Sequence, residues 1–104
     1  NGESLFNTAG CNDCHSGPIG SDSSTESPIR HDVGTASAAS GGRLHGPYDG
    51  FDTPSLNGLW ATAPYLHDGS ASTVKEAISA HVLPEVDSLS ENELQAIADY
   101  VLSR

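Results

Sequence analysis

The sequence predicts an all-α fold, with a few short helices separated by long irregular loops. Three observations carry this reading. Two segments open with a capping box ahead of apolar residues at helical spacing. No segment alternates apolar and polar residues as a strand does, and from Ser16 to about Gly50 there is no periodicity at all. At 104 residues the chain reads as one domain, residues 1–104, of a size where a single core is adequate but not generous.

Taken in order, "GESLFNTAG" (2–10) predicts a short helix that turns Leu5 and Phe6 inward and ends at Gly10. The stretch from Ser16 to about Gly50 is punctuated by Ser, Gly, Asp and Pro and reads as a long loop, with "SDSSTES" and "TASAASGG" as its most polar parts. "TPSLNGLWATAPYL" (53–66) carries two further prolines and the single Trp, and reads as compact turns with a short helix. Thr73-Val-Lys-Glu76 fits a capping box, opening a helix that runs to Leu83, where Pro84 stops it. Ser90-Glu-Asn-Glu93 is a second box. It opens "LQAIADYVLSR", in which Leu94, Ile97, Ala98, Val101 and Leu102 form one apolar stripe.

Charge is lopsided, with 4 Lys plus Arg against 14 Asp plus Glu and a formal net charge of −10. This argues against nucleic acid and anionic membranes as partners. It suits either plain solubility or an acidic face that steers a basic partner. No apolar run approaches the roughly 20 residues of a membrane span. The chain starts at Asn1 without an initiator Met or signal peptide, so the expectation is a processed form or a module cut from a longer protein.

The chemistry concentrates in "CNDCH", residues 11–15. Two cysteines at this spacing serve thiol redox exchange, zinc or covalent haem. Thiol exchange calls for a βαβ setting, and no strand signal is present. A structural zinc site takes four ligands, and His15, His31, His45, His67 and His81 include no pair three to five residues apart. Covalent c-type haem remains, with Cys11 and Cys14 joined to the two vinyl groups and the adjoining His15 as an iron ligand. With only 36% apolar residues, the chain gains from a porphyrin the apolar bulk that its side chains lack.

The second axial ligand cannot be methionine, because the chain has none. His31 and His45 lie in the irregular loop with nothing to fix their aim, and His67 sits in the turn "YLHDG", which Asp68 and Gly69 reverse. His81 falls in one helical stripe with Val74 and Ile78. An imidazole on such a face needs a partner: the haem iron, or a backbone carbonyl in a purely structural role.

The chain also resembles the C-terminal haem domain of the bacterial dihaem cytochrome c peroxidase and MauG family, over nearly its whole length. "CNDCHSGP" resembles the family's haem-attachment stretch and "RHDVGT" its "FHNxG" segment. "GRLHGPYDGFDTPSL" looks like a shortened form of a Gly-Arg followed by "FKTPTL". The most specific block is "TAPYLHDGSASTVKEAI", similar to "TAPYFHDGSxxTLEEAV". In the family, the residue three positions after that Glu-Ala-Val supplies the distal position, as Met or Tyr. Carried onto Glu76-Ala77-Ile78, this is His81, so the resemblance implies a bis-histidine haem with His15 and His81 as ligands; should His81 not ligate, His67 is the alternative distal ligand.

Two departures matter. Peroxidase chemistry in the family occurs at a second haem in a preceding domain, whereas this chain has one CxxCH, so that activity is not carried over. The family's "LRN" becomes Leu56-Asn57-Gly58, losing an arginine, which leaves Arg43 as the expected propionate partner. Leu56, Leu59, Trp60 and Tyr65 are expected to line the haem pocket, with Trp60 given no relay role. The Pro18 carbonyl is expected to orient the second nitrogen of His15.

Iron with both axial positions filled has no open site, so the expected function is one-electron transfer rather than catalysis. Its potential should be relatively low, because methionine ligation raises it. The expected partner is a redox protein, an extracellular copper monooxygenase being one acceptor of that kind. Because bacterial c-type haem is attached outside the cytoplasmic membrane, the expected location is periplasmic or extracellular, tethered to other domains. The competing expectation is a haem enzyme or a gas or peroxide sensor with a labile distal ligand. A haem serving only as a structural plug is a third.

Overall fold

The computed structural model describes residues 1–24, 29–36, 40, 42–43, 46–47 and 50–104. His45 and the side chain of Arg43 lie outside the described residues, as do parts of both serine-rich stretches. Helix α1 (Gly2–Thr8) begins at Asn1, whose side chain accepts the Ser4 N–H at 2.9 Å. It ends two residues earlier than the sequence implies: Ala9 is the cap, and Gly10 takes the left-handed conformation (φ 77°) that turns the chain into a 3-10 turn at Cys11–Asp13. Phe6 is buried, and Leu5 packs against the core from its edge.

Helix α4 (Glu91–Leu102) forms the complete capping box expected at Ser90, the Glu93 N–H donating to its hydroxyl and its own N–H donating to the Glu93 carboxylate. Leu94, Ile97, Ala98 and Val101 are buried as the stripe implies, whereas Leu102, in the last turn, stays 36% exposed. Helices α1 and α4 cross at Gly2, where a Cβ would meet the Ala96 carbonyl oxygen and lie 2.6 Å from Tyr100 Cβ. One turn on, the Phe6 and Tyr100 rings meet edge to face, 5.4 Å between centroids. Phe6, Ala9, Leu56, Val74, Ile97, Ala98 and Val101 form one core, so α1, α2 and α4 bury their apolar faces together.

The helix opened by Thr73 is shorter than expected. Helix α2 spans Val74–Ser79 and is capped at Ala80; Pro84 then occupies the first turn of a separate helix, α3 (Pro84–Asp87). The break has a tertiary cause. The Val82 N–H leaves the helical ladder to donate to the Val33 carbonyl at 2.8 Å, and Leu83, preceding proline, is extended (φ −133°, ψ 134°). Only half of the first capping box forms as the sequence implies. Thr73 accepts the Glu76 N–H, but the Glu76 carboxylate accepts from the N–H and hydroxyl of Ser72.

The helices carry the core, yet the fold is not purely helical. Four two-residue strands pair among the described residues: β1 (Arg30–His31) with β4 (Phe51–Asp52), and β2 (Gly42–Arg43) with β3 (Gly46–Pro47), both antiparallel. Two residues are too few to display the period-2 alternation by which a strand is recognised in sequence. The 53–66 stretch is turns with one short 3-10 helix at Leu59–Ala61, as expected, and Tyr65 bridges to Ala71 to close the loop that carries His67.

Candidate haem-binding site

A cavity of about 430 Å³ lies against this core. Cys11, Cys14 and His15 line it from the turn after α1, Ile78 from α2, and His81 from the connection beyond it. Phe6, Leu56, Leu59, Val74 and Ile97 supply apolar wall. The attachment motif near the start of the chain and the histidine that follows α2 therefore face one space.

His15 leaves the 3-10 turn with its ring fixed. Its Nδ1–H donates to the Gly20 carbonyl at 3.0 Å, so the lone pair sits on Nε2. This corrects the expectation for Pro18, whose carbonyl accepts from Asn57 Nδ2 at 2.8 Å instead. The loop closes further than the sequence shows because Gly20 packs on Leu56, where a Cβ would come within 3.0 Å of Leu56 Cβ. Burial pushes the His15 imidazole below its ordinary pKa, and the proximity of His81 adds to this; the Gly20 and Pro54 carbonyls oppose it. A lowered pKa favours the neutral form of the imidazole, which is the form that can bind a metal.

His81 is built the same way. Its Nδ1–H donates to the Ala77 carbonyl at 2.9 Å, again leaving the lone pair on Nε2. The backbone-bonded histidine and the candidate ligand are therefore one arrangement, because a ligating histidine commonly donates its other N–H to such an acceptor. His81 lies beyond α2 rather than on it, in the connection to α3.

The other histidines of the described residues are engaged. His67 lines the cavity, but its Nε2 is 2.6 Å from the Ser40 hydroxyl and its ring stacks on Phe51, with centroids 3.8 Å apart. His31 has a fixed aim after all: its Nε2 lies 2.7 Å from Asp22, whose other oxygen accepts from Thr53 Oγ1 at 2.7 Å. Those two contacts hold the Asp22 carboxyl below its usual range, Thr53 contributing most. Asp22 is a residue that sequence reasoning missed; it lies within a serine-rich stretch that offers no local pattern.

Leu56, Leu59 and Tyr65 line the cavity, the Tyr65 hydroxyl donating to the Leu59 carbonyl at 2.7 Å. Trp60 does not. It projects from the same short 3-10 helix as Leu59 and is 73% exposed. Arg104 is an unforeseen tie, donating to the Gly17 carbonyl and to Asn57 and so bracing the loop after His15.

The donor set distinguishes among the three uses of "CNDCH". Both cysteines are free, and burial raises both thiols above their ordinary pKa, with Asp22 and Asp13 adding to the effect at Cys14. Such thiols are poor thiolates for exchange. Cys14, Asp22 and His31 place one donor atom each within 4.8 Å of one another, one ligand short of a closed structural zinc set, and Cys11 is not among them. Covalent haem c fits better: two free thiols and two imidazole lone pairs border one mainly apolar cavity.

Comparison with known proteins agrees. Residues 50–86 match the RoxA-like, cytochrome c-like family. A cytochrome c551 peroxidase of Nitrosomonas europaea is 32% identical over 83 residues, which is 74% of this chain and 25% of the relative. The chain thus spans about a quarter of the length of that curated relative. No solved structure matches. Cytochrome c-like domains carry covalently bound haem c, and among the described residues no helix is long and apolar enough to cross a membrane. The chain is a c-type cytochrome domain related to the dihaem cytochrome c peroxidase family.

Proposed function

We propose that the domain transfers single electrons through one haem c, held by thioethers to Cys11 and Cys14 and ligated by His15 and His81. The observation that carries this is the matched pair of imidazoles on one cavity, each with Nδ1–H on a backbone carbonyl and Nε2 left to bind. Bound there, haem c supplies a reversible one-electron couple.

The residues of the chain do the rest. Gly20 and Ala77 fix the two ring orientations, so little moves when charge changes. Phe6, Leu56 and Ile97 keep water from the core side of the cavity. Two histidines leave no coordination position for a substrate and set a lower potential than a His/Met pair. The net charge of −10 favours a basic face on the redox partner, a protein that either supplies or accepts the electron. An extracellular copper monooxygenase is one acceptor of this class, and a periplasmic or extracellular location fits covalent haem attachment. Peroxidase turnover is not proposed for a chain with one CxxCH.

A second reading draws on one observation: His81 lies past the helix end, where the backbone is held less regularly than within α2. A His81 that dissociates would give a haem enzyme or a gas or peroxide sensor. Carbon monoxide separates the two. Electron transfer predicts a reduced protein indifferent to CO on a timescale of seconds; rapid, stoichiometric CO binding would establish the sensor or enzyme reading.

A further inference from the structure

We infer that Gly34 is a positioning residue for His81, an inference that rests on the ligation proposed above. The segment after β1 passes along the cavity, where His31 and Val33 both contribute to the wall, and then meets the connection that carries His81. Two contacts join them. The Val82 N–H donates to the Val33 carbonyl at 2.8 Å, and Gly34 lies directly against the Val82 side chain. A Cβ on Gly34 would collide with Val82 Cγ2 and would stand 2.7 Å from Val82 Cβ.

The second of these contacts decides the consequence. A clash with a side-chain tip can be relieved by a rotamer change, but Cβ is fixed to the backbone, and Val is stiff at χ1. Relief therefore requires the Val82 backbone to move, and His81 is the preceding residue. The opposing strand cannot easily yield. It is pinned through the His31–Asp22 contact and the pairing of His31 with Phe51. At its other end the Asp32 carboxylate accepts the Gly34 N–H at 3.0 Å, fixing a turn in which Gly34 has φ +79°, a conformation that Gly and Asn adopt readily. The remaining hydrogen bonds of His81 are local: its N–H reaches the Ile78 carbonyl at 3.1 Å, its Nδ1–H the Ala77 carbonyl, and its own carbonyl accepts the Leu83 N–H at 3.1 Å. The strap thus supplies the tertiary contact that sets where the imidazole stands.

The test uses the haem-loaded protein and the substitution Gly34→Asn, which keeps the left-handed turn accessible while adding the Cβ. The expected result is a ferric protein that gains high-spin signal and a reduced protein that binds CO about tenfold faster, because the ligand-free state becomes more populated. Removing the obstructing side chain in Gly34→Asn/Val82→Gly should restore both readouts. Gly58→Asn is the control: Gly58 is also left-handed (φ +73°), but a Cβ there would have no neighbour within 4 Å, so both readouts should stay unchanged.

If Gly34→Asn does not accumulate, Asp32→Ala loosens the same turn from the surface and should speed CO binding about two- to tenfold. Unchanged spin state and CO kinetics in Gly34→Asn, or in Asp32→Ala where that variant stands in, would overturn the inference. A double variant as disturbed as Gly34→Asn alone would overturn it too, placing the effect in the turn rather than at Val82. His81→Ala separates this from failure of the underlying reading. If His81→Ala turns the protein high-spin while Gly34→Asn does nothing, ligation stands and positioning falls. If His81→Ala changes nothing, the ligation itself is wrong.

Discussion

His15 and His81 present the same chemistry to one cavity: each donates Nδ1–H to a backbone carbonyl, Gly20 at 3.0 Å and Ala77 at 2.9 Å, and each keeps its Nε2 lone pair. They reach it differently. The His15 acceptor comes from a loop closed by a glycine packed on Leu56, and the His81 acceptor from the last turn of α2. His15 is therefore tied to the core, and His81 to a short helix end and the segment after β1.

The crossing of α1 and α4 depends on the absence of a side chain at Gly2. A Gly2→Ala substitution would drive a methyl into the Ala96 carbonyl and against Tyr100. We expect a loss of about 1–3 kcal/mol, read as a lower midpoint in denaturant unfolding, with the Phe6–Tyr100 contact disturbed.

Leu56 and Trp60 should separate burial from aromaticity. Leu56 is 9% exposed and lines the cavity, whereas Trp60 is 73% exposed. Leu56→Ala is expected to lose about 2–5 kcal/mol. Trp60→Ala should stay within about 0.5 kcal/mol of the unmodified protein. Equal losses in chemical denaturation would contradict the placement of Trp60.

Asp22 holds His31 and Thr53 from one carboxylate. Replacing it with Asn removes the charge from both contacts, and because the site is only partly buried the expected loss is about 1–2 kcal/mol. Asp13→Asn, measured by the same unfolding experiment, should change little, since the Asp13 side chain makes no comparable pair of contacts among the described residues.

Acid stability should follow the two helix-capping carboxylates. The Ser72 backbone and hydroxyl hold Glu76 below its usual range, and the Ser90 backbone and hydroxyl hold Glu93 likewise. A carboxyl depressed on folding contributes stability that is fully present above its unfolded value, about 4.3, and lost as pH falls through the folded value. Thermal unfolding should thus be flat in this contribution above pH about 5 and weaken below about 4. Glu76→Gln/Glu93→Gln should show a shallower acid loss; an identical slope would count against the caps as its source.

Elements specified by local chemistry are legible in the sequence. The Ser90 box, the α4 stripe and the Gly10 stop each depend on neighbours a few residues apart, and each appears with small shifts at its ends. What the sequence conceals is tertiary. Val74 and Ile78 continue a stripe to His81, but α2 ends at Ser79, and just past His81 the Val82 N–H turns away to the Val33 carbonyl. The two-residue strands, the choice of Gly20 over Pro18 and the Asp22–His31 pair all join positions with no local pattern between them. Apolarity alone points Trp60 inward, yet on a three-residue 3-10 helix only Leu59 turns to the cavity. Of the candidate site, the CxxCH motif names Cys11, Cys14 and His15, and the stripe together with the resemblance names His81; the contacts that aim the two imidazoles have no such signal.

The most direct measurement is the low-temperature EPR spectrum of the ferric haem-loaded protein beside His81→Ala and His67→Ala. Ligation by His15 and His81 predicts a low-spin signal that turns high-spin in His81→Ala and persists in His67→Ala. A low-spin signal that survives His81→Ala, or an unmodified protein that is already high-spin, would contradict it.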